Sequence, residues 1–174
     1  MRSHLLLIAL LGLPLAVLCQ SRKWEEFASK ENHFKVMLPA RHTELPPLLH
    51  PVGTTPNPTL VAKRNDEGFR VSYYCFSEES SAPEDVQTRL QGARNRTVVA
   101  LTDESRELKV MHENQISLHG ISGLEINMDS RATSYTARIF VSERCAFLLL
   151  VRTKIERSIS EDGKRFLDSF ELVP

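Results

Sequence analysis

The stretch Cys145-Ala-Phe-Leu-Leu-Leu-Val151 restricts the fold more than any other, because it is apolar throughout and shows no alternation. A half-exposed strand alternates apolar and polar residues, whereas a continuous short apolar run belongs to a strand covered on both faces. The run is far shorter than the roughly 20 residues needed to span a bilayer as a helix. We therefore expect a central strand at 145–151 with a helix over each face.

Neighbouring segments supply the rest of a sheet. Phe34, Val36 and Leu38 alternate with His33, Lys35 and Met37. Residues 59–64 and 69–76 flank Asn65-Asp66-Glu67-Gly68, a hairpin connection in which Gly68 is expected to supply any positive φ. Phe69, Val71, Tyr73 and Cys75 fall on one face of the second strand. From residue 107 the pattern is β again: "LKVMHENQISL", "GLEINMD" and "YTARIFV" precede the apolar run. In the second of these, Leu124, Ile126 and Met128 oppose Glu125, Asn127 and Asp129, so one face is wet. Residues 39–58 contain Pro39, Pro46, Pro47, Pro51, Pro56 and Pro58, and read as a long loop with at most a short edge segment.

Two helices are expected. Ser81-Ala82-Pro83-Glu84 has the spacing of a capping box, followed by Val86, Leu90, Ala93 and Thr97 as a thin apolar stripe. Ser158-Ile159-Ser160-Glu161 is a second box, ahead of Phe166, Leu167 and Phe170. Strands before and after one long helix, closed by a terminal helix, give an α+β fold. Its mostly antiparallel sheet is expected to lie sandwiched between helices.

The start of the chain is of another kind. Arg2 precedes the uncharged run Leu5–Leu18, which has the length of a signal-peptide core and is too short for a comfortable span. We expect residues 1–19 to be a cleaved signal peptide and 20–174 to form one exported domain, periplasmic or extracellular, with no later transmembrane segment. Val17 and Cys19 suit ordinary cleavage before Gln20. "LAVLC" is also similar to a lipobox, which makes Cys19 a candidate for lipidation, although Leu18 stands where that motif wants Gly, Ala or Ser. Removing the leader leaves Cys75 and Cys145. In an exported protein they are a candidate disulfide; the stronger expectation is that both are small buried hydrophobes on neighbouring strands.

Charge and motifs exclude more than they identify. The 174 residues carry 22 basic and 22 acidic side chains and no basic run, which gives no reason to expect nucleic acid. His119-Gly-Ile-Ser-Gly123 resembles a nucleophile elbow, but the second glycine is one residue early and a strand follows where a helix is needed. It reads as a turn. His33, His42, His50, His112 and His119 show no His-Glu-x-x-His or close pairing, so no metal site or cofactor is expected. Glu25-Glu26 and Glu78-Glu79 sit in polar sequence and read as solvated charge. Asn95-Arg96-Thr97 is a glycosylation sequon placed on a helix, and reads as incidental. The candidate binding residues are Trp24, near the mature start beside Phe27, and His42 and His50 of the Pro-rich segment.

"WEEFASKENHFKVMLPA" resembles the opening of a widespread group of uncharacterised exported bacterial proteins. Their Trp-x-x-Phe-x-Ser and Phe-x-Val-x-Leu-Pro are matched by Trp24, Phe27, Ser29, Phe34, Val36, Leu38 and Pro39, with Ala40 departing from a frequent glycine. The ending resembles the group's Phe-x-x-Ser-Phe-x-Leu at Phe166, Ser169, Phe170 and Leu172. The order of elements is similar to the PsbP-like fold. The resemblance implies that fold and export, and no established activity. The functional expectation is accordingly a non-catalytic domain, not an enzyme, that binds or scaffolds an envelope protein or ligand. The alternative is a hydrolase-like enzyme whose site is assembled from dispersed residues such as His42, His50 and acidic partners.

Overall fold

A computed structural model describes residues 23–49, 54–76, 85–105, 107–155 and 157–173. The strands are β1 (Trp24–Ser29), β2 (Phe34–Pro39), β3 (Thr43–Leu45), β4 (Thr54–Pro56), β5 (Thr59–Arg64), β6 (Glu67–Phe76), β7 (Lys109–Leu118), β8 (Ile121–Asp129), β9 (Thr133–Val141), β10 (Cys145–Lys154) and β11 (Glu171–Leu172). The helices are α1 (Val86–Glu104) and α2 (Glu161–Asp168). β1, β2 and β11 form a small sheet, and β3-β5-β6-β10-β9-β8-β7 a larger one that β4 joins through β6. Every recorded pairing is antiparallel.

β10 lies between β6 and β9, and residues 145–151 are all buried. The alternation hidden in that run is between two apolar faces. Cys145, Phe147, Leu149 and Val151 join a cluster with Phe34, Phe166 and Phe170 from the small sheet and the C-terminal segment. Ala146, Leu148 and Leu150 join a second cluster with Leu90, Ala93 and Leu101 of α1. One face is thus covered by a helix as expected. The other is covered by the three-stranded sheet together with α2, because a helix of 8 residues is too short to wall it alone.

α1 buries Leu90, Ala93, Thr97 and Leu101, the narrow stripe its sequence carries, while Val86 at its first position is 48% exposed. Its N-cap is Asp85, whose carboxylate accepts the Thr88 N–H at 2.8 Å. Asp85 takes the role expected of Ser81; residues 77–84 lie outside the described ones. The cap of α2 also moves, from Ser158 to Ser160, which accepts the Gly163 N–H. The acid that completes it is not Glu161 but Glu67 of β6: its carboxylate accepts from Ser160 N at 2.7 Å and from Ser160 Oγ at 2.5 Å. Glu67 is 8% exposed, so Glu67→Gln replaces a buried charged acceptor of both Ser160 bonds with a neutral amide. A hydrogen bond to a charged group contributes about 1.5–3 kcal/mol, and chemical denaturation should show a loss in that range. A change below about 0.5 kcal/mol, the usual scale of a surface substitution, contradicts this account.

The Pro-rich segment is more ordered than its composition suggests. It carries two short edge strands, β3 on β5 and β4 on β6. Leu48 donates its N–H to Thr59 Oγ1, which also bonds Ser72, and Leu49 is 5% exposed. Gly68 is inside β6; the positive φ of that hairpin is at Asn65, 54°. Gly68 was expected there because glycine tolerates positive φ, but asparagine is the residue that does so next most readily.

Glu125, on the expected wet face of β8, bonds Arg138 Nε at 2.7 Å, and Arg138 Nη1 reaches Asp168 of α2 at 2.6 Å. Burial pulls the Arg138 pKa down, but the bonds to Asp168 and Glu125 outweigh it and hold the group above its ordinary value. Cys75 and Cys145 face each other directly across β6 and β10 and are joined as a disulfide. The neighbouring Phe76 N–H bonds the Arg144 carbonyl, so the cysteines occupy a non-hydrogen-bonded pair, where opposed side chains come closest. The register that makes both cysteines look like buried strand hydrophobes also brings their sulfurs together.

Candidate functional site

The sheet face that carries α1 is longer than the helix. Lys63 of β5, Gly68 of β6, Arg152 of β10 and Tyr135 of β9 stand in one row across it. Val61, Arg70 and Leu150 form the next row, with Thr43 of β3 beside Val61. α1 ends at Glu104, and Ser105 Oγ and Tyr135 Oη meet at 2.5 Å at that end. Beyond it the two rows line an open groove of about 430 Å3.

Four cations surround this groove: Arg41, Lys63, Arg70 and Arg152. Arg70 Nη1 holds both oxygens of Glu104, at 2.9 and 3.0 Å. Arg41, Lys63 and Arg152 form no ion pair among the described residues. Glu104 is the one acidic lining residue, so the local balance is strongly positive in a chain whose net charge is zero. Arg41 has φ 71°, a left-handed conformation that costs a non-glycine residue roughly 1–2 kcal/mol. Sparsely populated backbone of this kind concentrates at ligand-holding positions. The arrangement can neutralise and orient an anion. Among the described residues, no group of three or more His, Cys, Asp or Glu converges as metal ligands do.

The residues singled out from sequence lie elsewhere. Trp24 packs edge-on to Phe69 at 5.7 Å, with the Arg64 and Arg165 guanidiniums 5.5 and 5.1 Å from its ring centre. His42 turns its ring to Phe27 at 5.8 Å, while its neighbours Arg41 and Thr43 line the groove. Trp24 Nε1 and His42 Nδ1 are both buried and make no hydrogen bond. Trp24 and His42 therefore close the end of the core around β1, and neither reaches the groove. His50 and Cys19 lie outside the described residues.

The Gly-Ile-Ser-Gly stretch is a turn and a strand. His119 (φ 50°) and Gly120 (φ 81°) form the two-residue connection from β7 to β8, matching a type I′ hairpin, which needs positive φ at both positions. Ser122 stands opposite Ser117 within the ladder. Gly123 has a packing reason: a Cβ there would sit 2.6 Å from the Ile139 carbonyl and 2.7 Å from the Phe140 ring. Gly123→Ala should therefore destabilise by about 1–3 kcal/mol, the usual cost of overpacking, measurable as a lowered denaturation midpoint; an unchanged midpoint contradicts the contact.

The groove was missed because its cations come from three separate strands and the bend before β3, and no run of them exists in the sequence. The parity of "TLVAKR" and "FRVSYYCF" does place Lys63 and Arg70 on one face once the strands are paired.

No family model matches the chain, and no curated protein matches it. Solved structures do. The solution structure of cyanobacterial PsbP from Synechocystis sp. PCC 6803 superposes with a TM-score of 0.64 at 9% identity, over 87% of this chain and 93% of that one. The fold is PsbP-like. Two further structures match more loosely. A protein of unknown function from Pseudomonas aeruginosa, described as a putative regulator, has a TM-score of 0.39 at 8% identity, over 76% of this chain and 83% of that one. A protein from Bacteroides thetaiotaomicron has 0.41 at 12% identity, over 86% and 48%. At these identities the PsbP-like likeness describes the backbone and carries no activity.

Proposed function

We propose that the mature chain, from Gln20, is an exported, non-catalytic binding domain of the cell envelope, and that it holds its ligand in the cationic groove. The observation that carries this reading is the set of three cations without an ion-pair partner among the described residues, converging beside half-buried Val61 and exposed Leu45. Clefts of roughly 300–1,000 Å3 with a few convergent polar groups are the usual form of small-ligand sites. The PsbP-like backbone, read as an α/β/α sandwich with α1 on one side and α2 on the other, has an interior filled by two apolar clusters. The leader-like Leu5–Leu18 and the Cys75–Cys145 bridge support export, since structural disulfides persist in oxidising compartments. No described helix is long and apolar enough to cross a membrane.

Capture from envelope extract tests the reading, with the intact chain compared to Arg41→Ser/Lys63→Ser/Arg152→Ser. The captured material should be lost with the triple variant while its melting temperature is kept; equal capture by both proteins overturns the groove assignment. Mass spectrometry of the exported product separates its two end forms. A free Gln20 start supports ordinary cleavage, and an acylated Cys19 replaces it with a lipid-anchored form.

A further inference from the structure

We infer that the groove takes a single-headed amphiphilic anion: a carboxylate or phosphate monoester carried on an aliphatic body. This deepens the binding reading above and rests on it. Neighbouring strands are roughly 4.8 Å apart, so Gly68, between Lys63 and Arg152, leaves a gap of one side chain flanked by two cations. Nothing except Arg152 comes within 4 Å of where a Gly68 Cβ would stand, its Cβ and Nε both at 3.8 Å. The gap is open, and a cation leans over it.

The adjoining row is chemically different. Arg70, held by Glu104, stands at its middle beside Leu150, which is only 3% exposed. The apolar floor is on the β5 side, where half-buried Val61 is followed by Leu45, 42% exposed on the edge strand β3. A bare inorganic anion engages the cations but leaves this floor wet. A neutral apolar ligand covers the floor but strips water from Lys63 and Arg152 without replacing it by a counter-charge. An anionic head in the Gly68 gap with its chain along Val61 and Leu45 satisfies both. The left-handed Arg41 at the rim then stands beside the head.

Isothermal titration of the intact chain with monomeric octyl phosphate tests the inference. Inorganic phosphate, octyl glucoside and phosphatidylglycerol vesicles are the comparison arms. Octyl phosphate should bind, and more weakly as salt rises. Lys63→Glu and Arg152→Glu should each weaken it by about tenfold or more, since truncating or reversing a close charge acts strongly on affinity. Gly68→Val fills the gap with a good strand former, so it should abolish binding while leaving the fold at least as stable. Glu104→Gln frees Arg70 and should tighten binding by about threefold, the scale of one partly exposed charge. That gain cannot arise from misfolding.

Inorganic phosphate or octyl glucoside binding as tightly as octyl phosphate overturns the inference, as does binding to vesicles alone or indifference to Gly68→Val. If octyl phosphate fails while capture from extract still depends on the three cations, the amphiphile is wrong and the binding reading stands. If both fail, the binding reading goes too.

Discussion

Replacing both bridging cysteines, Cys75→Ala/Cys145→Ala, lowers the stability of the chain by about 4 kcal/mol, the loop-entropy value for a bridge closing some 70 residues. The native geometry does not need the bridge. β6 and β10 are paired in register from Cys145↔Cys75 to Arg152↔Gly68, and a non-hydrogen-bonded pair already brings the two Cβ atoms close. Its effect therefore falls mainly on the unfolded chain, which without it gains the freedom of a loop holding α1, β7, β8 and β9. Urea titrations should show a lower midpoint with a steeper slope, because the uncrosslinked unfolded chain exposes more surface. The circular dichroism of the folded state should be unchanged. A midpoint that does not move when the bridge is removed, in a protein shown by mass to have been oxidised, sinks this account.

Phe170→Ala costs about 3–5 kcal/mol, the range for truncating a fully buried phenylalanine. Phe170 is 0% exposed and lies between the two sheets. Its ring centre is 5.0 Å from Phe140, stacked at 11°, 5.2 Å from Phe147 and 6.1 Å from Phe34. These three partners come from β9, β10 and β2, so a single side chain after α2 fastens the small sheet to the large one. The cavity left by alanine cannot collapse easily, because β-strands hold its walls on two sides. Denaturant midpoints measure the loss. A cost below about 1.5 kcal/mol, the scale of a volume-conserving swap, means that the C-terminal segment is not the clasp.

Much of this interior was legible beforehand. The apolar run 145–151 predicted a central strand buried on both faces, since a strand with a wet side cannot afford leucine at every position. Phe166, Leu167 and Phe170 were readable as core from helical spacing, and all are 0% exposed. The caps were harder. Ser81 and Ser158 have the right spacing to an acid, but capping depends on where the chain enters the helix. Asp85 and Ser160 occupy those entry points, and the carboxylate that serves Ser160 comes from 93 residues away. The groove was hidden for a similar reason. Lys63, Arg70 and Arg152 share a face only because β5, β6 and β10 are neighbours in a given register.

The amino-acid order alone determined the longer strands from β2 onward, both helices and which of their sides are apolar, because period and side-chain size are local properties that act wherever the chain goes. β1, the short edge strands β3 and β4, and β11 are strands only through the partners they pair with. Tertiary structure decided which strands lie side by side, and with them the sulfur bridge, the long-range cap on α2 and the cluster of cations around Gly68. Those features depend on registers that one residue of slip would reverse. Such registers are fixed by the packing of the two apolar clusters as a whole.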